Sequence, residues 1–357
     1  MLNLDFMLKK ALIPLFLFLS VNGILAQNSM DSRQYDWNPG IKGFGLVRGL
    51  EVSYHSNSSF DLTSTSDFYG DSKAKISHNR IFKTKLKFPI FLKSKVKITG
   101  GFEYSDEEFH FDDNEYTPYP LYKSLNDKNL KSIGGSLYMI AQLRRNMFFM
   151  LRFNAKLKGD YWKEHIGNVS KYTFLKMEIS PIVGWKVNEN KSWGLGVAYS
   201  YTFGDPLIFP LVLYNHKFAE KWGIEALFPA RIKLRYQASE LCYINAKARL
   251  QGGSYSIHFD DPLLGDFKTL ELRRSDVNFS MELEKGITDW LWLSLEGGYR
   301  TNINFDVTNK NHPFSLSGSK LTSENNTIDS YASGGLFFNL SLFIVPSKKL
   351  LEKVGLR

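Results

Sequence analysis

The sequence holds a single cysteine, Cys242, among 357 residues, so it can build neither an intrachain disulfide nor a thiolate metal cluster. Cys242 also lies too deep in the chain to carry an N-terminal lipid anchor. Past residue 26 there is no apolar run approaching the roughly 20 residues that a spanning helix needs, and the mean hydropathy is -0.25, which excludes a helical membrane protein. Helical periodicity is nearly absent after Gly43. What the chain has instead is rings: 28 Phe, 18 Tyr and 7 Trp, an aromatic share of 15% that also disfavours disorder. Many large apolar rings in a chain that is not hydrophobic overall point to strands with one apolar face and one polar face.

Residues 1–26 read as a secretory signal, with Lys9 and Lys10 at its positive start, Ala11 to Val21 as the apolar stretch and Ile24-Leu25-Ala26 before the cut. Export is therefore expected, with the outer membrane as destination. The remainder divides into one domain, 27–345, and a short basic tail, 346–357.

From Gly43 onward the hydrophobic period is 2. Met147, Phe149, Leu151, Phe153, Ala155 and Leu157 alternate with Phe148, Met150, Arg152, Asn154, Lys156 and Lys158 over 12 unbroken residues. A soluble sandwich strand usually runs about 5 or 6 residues, whereas a transmembrane strand needs about 9 to 11. The pattern recurs from Trp193 to Phe203, from Leu291 to Phe305 and from Leu336 to Ile344. Connections alternate too: 93–95, 143–146, 188–191, 219–221 and 286–289 are short, whereas 57–79, 105–130, 160–170 and 306–330 are long. This fits short periplasmic turns and long outer loops. Trp193, Trp222 and Trp290 each follow a short turn and Trp185 precedes one, as an interfacial aromatic girdle would.

These signals predict an all-β fold, an antiparallel transmembrane β-barrel of 12 to 14 strands. The obvious segments are odd in number, and the error lies between Trp222 and Phe259, where Pro229 and Gly252-Gly253 interrupt the pattern; 14 strands is the preferred resolution. If Leu270 and Leu272 share the lipid face with Val277, Phe279, Met281 and Leu283, an extra residue near 273–276 is needed, so a β-bulge is expected there.

Opposite parity assigns three basic triplets to the lumen: Lys83, Lys85 and Lys87; Arg152, Lys156 and Lys158; Arg231, Lys233 and Arg235, with Glu225 near the last. Rings of Lys and Arg build anion-preferring pores, although paired lumen charges would give the same composition. The formal net charge of +9 falls by one without the signal. Because the basic residues alternate with apolar ones and form no exposed stripe, nucleic acid is excluded as a partner. The expected partners are outer-membrane lipid and the phosphates of lipopolysaccharide, the barrel assembly machinery, and a small anionic solute. Six acids lie within 106–115, namely Asp106, Glu107, Glu108, Asp112, Asp113 and Glu115, without EF-hand spacing, so they read as a solvated loop. Ser256, His258 and Asp260 share one face and are the residue types of a hydrolytic triad, but strand neighbours do not supply triad geometry; no catalytic residue, metal ligand or cofactor is assigned. His216 has no nucleophilic or acidic neighbour.

The run Tyr214-Asn215-His216-Lys217-Phe218, Lys221 to Ala226, Phe228-Pro229-Ala230-Arg231 and Leu234-Arg235-Tyr236 resembles a family of uncharacterised outer-membrane barrels of Gram-negative bacteria, classed as a domain of unknown function. The resemblance implies fold and location, with no activity or ligand attached. Three functions are thus expected in order: passive or ligand-gated passage of small solutes, a plugged structural or lipopolysaccharide-contacting barrel, and a lipid-modifying hydrolase.

Overall fold

The computed structural model describes residues 40–41, 46, 48–112, 119–160, 174–259, 269–308, 315–316 and 326–346. The chain divides into two units; residues 35–345 hold every element below, and the other unit, 1–34 with 346–357, lies outside the described residues except for Pro346. The expected signal and basic tail belong to that second unit.

The period-2 segments form β1 (Leu50–Asn57), β2 (Phe60–Thr65), β3 (Ser72–Lys93), β4 (Val96–Phe111), β5 (Leu130–Arg144), β6 (Met147–Gly159), β7 (Leu175–Asn188), β8 (Lys191–Phe203) and β9 (Asp205–His216). They continue as β10 (Trp222–Phe228), β11 (Arg231–Ser239), β12 (Cys242–His258), β13 (Thr269–Gly286), β14 (Leu291–Thr308), β15 (Ser315–Leu316), β16 (Asp329–Ala332) and β17 (Gly335–Ile344). Among the described residues one helix, α1 (Pro120–Asp127), interrupts the series. β1 and β2 pair in turn with β3, and β17 and β16 pair with β1 and β2, so each of these couples is one interrupted wall strand. The β1–β17 ladder closes the sheet, giving a closed antiparallel barrel of 14 strands.

The ambiguity between 222 and 259 resolves at Pro229-Ala230, a tight turn that splits one apparent segment into β10 and β11. Proline has no N–H to give a ladder and so suits a turn. Gly252-Gly253 does not interrupt β12. On the outer surface Leu86, Phe102, Val197, Val212, Leu283, Leu295 and Leu340 are exposed, part of an apolar belt that a bilayer would cover.

The bulge is displaced from its expected strand. Leu270 and Leu272 face inward, buried in an apolar core, so β13 keeps one parity from end to end. The register instead shifts between β13 and β14, where Ser275 pairs with Asn304 and Asp276 with Asn302, leaving Ile303 of β14 as the extra residue. Past it the parity of β14 inverts, which turns Phe305, expected on the lipid face, into the core beside Val307. A second shift, between Ser200 and Phe203 of β8, likewise brings Phe203 against inner residues, 5.2 Å from the Phe209 ring.

Two supposed loops are structured. Within 57–79 lie β2 and the start of β3, and within 105–130 lie the end of β4 and α1. α1 has only 8 residues, too few to be stable alone, and it is held by tertiary packing. Leu121, Tyr122 and Leu125 are buried against Phe109, Phe111 and Leu62, and the Tyr122 hydroxyl lies within hydrogen-bond distance of the carbonyls of Ser72 (2.9 Å) and Leu62 (3.1 Å), either of which can accept its one proton.

Toward the long-loop end, the wall departs from a simple cylinder. β10 and β11 have 7 and 9 residues, whereas β12 has 17, so above the Pro229-Ala230 turn no strand stands between β9 and β12. The ends of β6 to β9 bridge this gap by packing on β12 and β13. Ser256 pairs with Gly159, the Ser275 hydroxyl donates to the Thr202 carbonyl (3.0 Å), and a Cβ at Gly252 would overlap that same carbonyl oxygen. Glycine at 252 is what lets the two walls meet.

Candidate functional site

All nine predicted lumen cations sit on the inward parity of their strands, but the structure sorts them into two groups. In the first, Lys83 and Lys156 share Glu103, at 3.0 and 2.6 Å, and Lys85 lies 3.9 Å from Glu51. Lys233 reaches Glu282 (3.8 Å) and Glu284 (3.6 Å), and Arg235 reaches Glu225 (3.5 Å) and Glu284 (3.2 Å). Lys158 is buried, with its ammonium 5.6 Å from the centre of the Tyr255 ring. The second group is Lys87, Arg152 and Arg231, which face inward yet remain exposed to solvent. Of the acids that neutralise the first group, sequence parity pointed only to Glu225. Glu103, Glu282 and Glu284 lie on β4 and β13, and only cross-strand register brings them to the triplets.

Both ends of the interior are narrowed. At the short-turn end Tyr243, Trp292, Phe343 and Val345 form a buried cluster, with the Arg48 guanidinium 4.1 Å over the Phe343 ring. Arg48 also ties Glu51 (2.6 Å) to Glu284 (2.6 Å) and Glu282 (3.3 Å). Lys186 of β7 donates to the Gly40 carbonyl (3.1 Å), and Ile41 is buried. At the other end α1 and its aromatic core fill the mouth, and Lys128 and Ser124 of the α1 region donate to the His258 carbonyl. The lower inner face of β5 to β9 is apolar, with Phe148, Met150, Ile182 and Leu211 buried together; Phe148 and Met150 had been placed among polar inner positions by alternation alone.

The supposed acidic loop is mostly wall. Asp106, Glu107 and Glu108 belong to β4, and Glu107 is buried in an ion pair with Arg274 at 2.5 Å. Asp113 and Glu115 lie outside the described residues, and among the described residues no group of acids, His and Cys could hold a metal.

His258 is oriented by Asp160, not by Asp260, which lies outside the described residues. The ring Nδ1 is 3.4 Å from Asp160 Oδ1, the His258 amide donates to Asp160 Oδ2 (2.8 Å), and Nε2 is 3.1 Å from Thr269 Oγ1. Lys128 stands 3.5 Å from the same carboxylate. These groups join β6, β12, β13 and α1 at the wall-to-wall contact and read as structural. His216 contacts the Tyr214 hydroxyl at 3.1 Å. Trp193, Trp222 and Trp290 are exposed on the outer face near the short turns, and Trp185 stacks on Trp193 at 4.6 Å.

A closed 14-strand barrel with an apolar outer belt and a charged interior defines a transmembrane β-barrel of the outer-membrane class. Residues 48–338 match a domain of unknown function, DUF6268, and the chain belongs to that family. No curated protein matches the sequence. Among solved structures the chain is similar to an outer membrane channel from Pseudomonas putida F1, at 10% identity and TM-score 0.39, covering 88% of this chain and 100% of that one. It is also similar to the P. putida toluene transporter TodX, at 8% identity and TM-score 0.32, covering 84% and 90%. The outer membrane protease OmpT of Escherichia coli aligns at 8% identity and TM-score 0.30, covering 85% and 99%. Likenesses this distant carry no argument about function.

Proposed function

We propose that this barrel is a gated conduit for small anionic solutes. The observation that supports it is the second group of cations: Lys87, Arg152 and Arg231 face the interior, stay in contact with water, and among the described residues have no carboxylate within ion-pair distance. Cations that only hold the wall together pair with carboxylates, as Lys156 and Arg235 do, whereas these three are left to solvent. Rings of such cations favour anions in a pore. In this reading the ends move to admit solute, α1 at one and the Arg48 knot at the other.

The test is current through planar bilayers containing refolded protein. Anion-selective current is expected, with Arg48→Ala increasing the open fraction and Arg152→Glu shifting the reversal potential toward cations. Absence of current from wild-type and Arg48→Ala protein that both give a heat-resistant folded band would overturn the reading. It would favour a plugged structural barrel, which the extensive neutralisation of Lys83, Lys156, Lys233 and Arg235 also supports.

A further inference from the structure

The β11–β12 ladder stacks two rungs of like charge, Lys233 opposite Lys247 and Arg231 opposite Arg249. Side chains facing each other in this way are close, and like charges directly opposite are destabilising. The first rung is neutralised. Lys247 lies 3.2 Å from Glu282 and 2.8 Å from Glu296, and Lys233 reaches Glu282 and Glu284. The second rung has no such cover among the described residues. The acids in electrostatic range are held elsewhere: Glu225 bonds Arg235, and Glu296 bonds Lys247.

More positive charge converges on the uncovered rung. Arg152 and Lys87 are both in electrostatic range of Arg231, and Glu51, the acid in electrostatic range of Lys87, is bonded to Arg48. Arg249 Nε is buried and among the described residues has no hydrogen-bond partner. Water reaches Arg231, Arg152 and Lys87.

We infer that Arg231 and Arg249, supported by Arg152 and Lys87, form a binding site for a compact, multiply charged oxyanion of the phosphate class, free or as a monoester. A guanidinium presents a planar fork that meets phosphate oxygens in pairs, and two opposed forks on one rung can hold one such group between them. The ligand relieves the repulsion that the fold leaves in place. The inference deepens the anion-conduit reading, yet it needs only access to the interior, so binding and passage can fail separately.

The experiment is thermal unfolding of the full chain folded in detergent, with inorganic phosphate compared with chloride at matched ionic strength, and calorimetric titration of phosphate. Phosphate is expected to raise Tm of the wild type beyond chloride. Arg231→Gln should raise Tm without phosphate, because it removes the like-charge rung, and should weaken phosphate binding by at least about tenfold. Arg231→Lys, which keeps the charge and loses the fork, should also bind phosphate less tightly, and it serves if the Gln variant does not fold. Glycerol 3-phosphate as second probe separates an ester from the free ion: tighter binding than inorganic phosphate assigns the ester. No phosphate effect on the wild type, or an effect on both Arg231 variants as large as on the wild type, overturns the site. Phosphate binding without current would leave the site standing and remove the conduit.

Discussion

The two halves of β13 carry opposite chemistry on the same face. Toward the short turns its outward residues are Phe279, Met281 and Leu283, all exposed for lipid to cover. Toward the long loops the same parity holds Glu271, Arg273 and Ser275, all buried. No bulge in β13 separates them, since its register with β12 runs unbroken from Thr269 to Lys285. The difference is what lies outside. Along the lower half it is open surface, and along the upper half it is the ends of β7, β8 and β9. Lys176 bonds Glu271, Asp205 lies 2.6 Å from Arg273, and the Thr202 carbonyl accepts from Ser275. A strand face is polar or apolar according to its neighbour, and neighbours here change halfway up a single strand.

Substitutions on that face should separate the halves, and the largest loss belongs to Arg273, the largest fully buried side chain among the described residues. Arg273→Ala removes the guanidinium that meets Asp205 at 2.6 Å across the contact of the two walls, while Glu271 keeps Lys176, and breaking a buried pair costs about 3 to 5 kcal/mol. Urea unfolding from liposomes measures it; a loss within experimental error would mean that the two walls do not depend on this pair. On the lower half the same residue type has the reverse effect. Met281→Arg, which puts a guanidinium on the exposed apolar face, should cost about 2 to 4 kcal/mol near the midplane. A cation tolerated at 281 would show that lipid does not cover this surface.

Glycine sharpens the same contrast at smaller scale. At Gly252 a Cβ would collide with the Thr202 carbonyl of the opposing wall, and at Gly297, on the lower outer surface, its nearest neighbour would be 4.0 Å away. Gly252→Ala is therefore expected to lose about 1 to 3 kcal/mol by forcing the walls apart, and Gly297→Ala to stay within about 0.5 kcal/mol. Equal effects at both positions would place the closest approach of the walls elsewhere.

On the lower outer surface the alternation was legible from sequence because nothing among the described residues covers that face, which is the condition under which alternation maps directly onto faces. Alternation failed where a third layer enters: Leu270 and Leu272 meet α1 and its core, and Phe305 is turned inward by one extra residue at Ile303. Acids such as Glu282 and Glu284, ordinary in a strand pattern, acquired meaning only when register set them against Lys233 and Arg235. That register also divides the third triplet, neutralising Lys233 and Arg235 and leaving Arg231 without a carboxylate among the described residues. The outer tryptophans needed no long-range information, because their mark is adjacency to a turn.

Those rings set an outer tryptophan against an inner one at the same end of the barrel. Trp193 is exposed and stacks on Trp185 with ring centres 4.6 Å apart and planes 23° apart, whereas Trp292 is buried between Tyr243 and Phe343. Removing one member of an exposed aromatic pair costs about 0.5 to 1.5 kcal/mol beyond area, so Trp193→Ala should leave folding nearly intact. Position is the more informative readout. In variants that retain a single tryptophan, lipids brominated near the headgroup should quench Trp193, Trp222 and Trp290, whose rings lie on the outer face where amphipathic side chains favour the interface. Trp292, separated from lipid by the wall, should keep its emission. Quenching of Trp292 as strong as that of Trp193 would mean that lipid reaches the inner cluster, and the assignment of inside and outside at the short-turn end would have to be reversed.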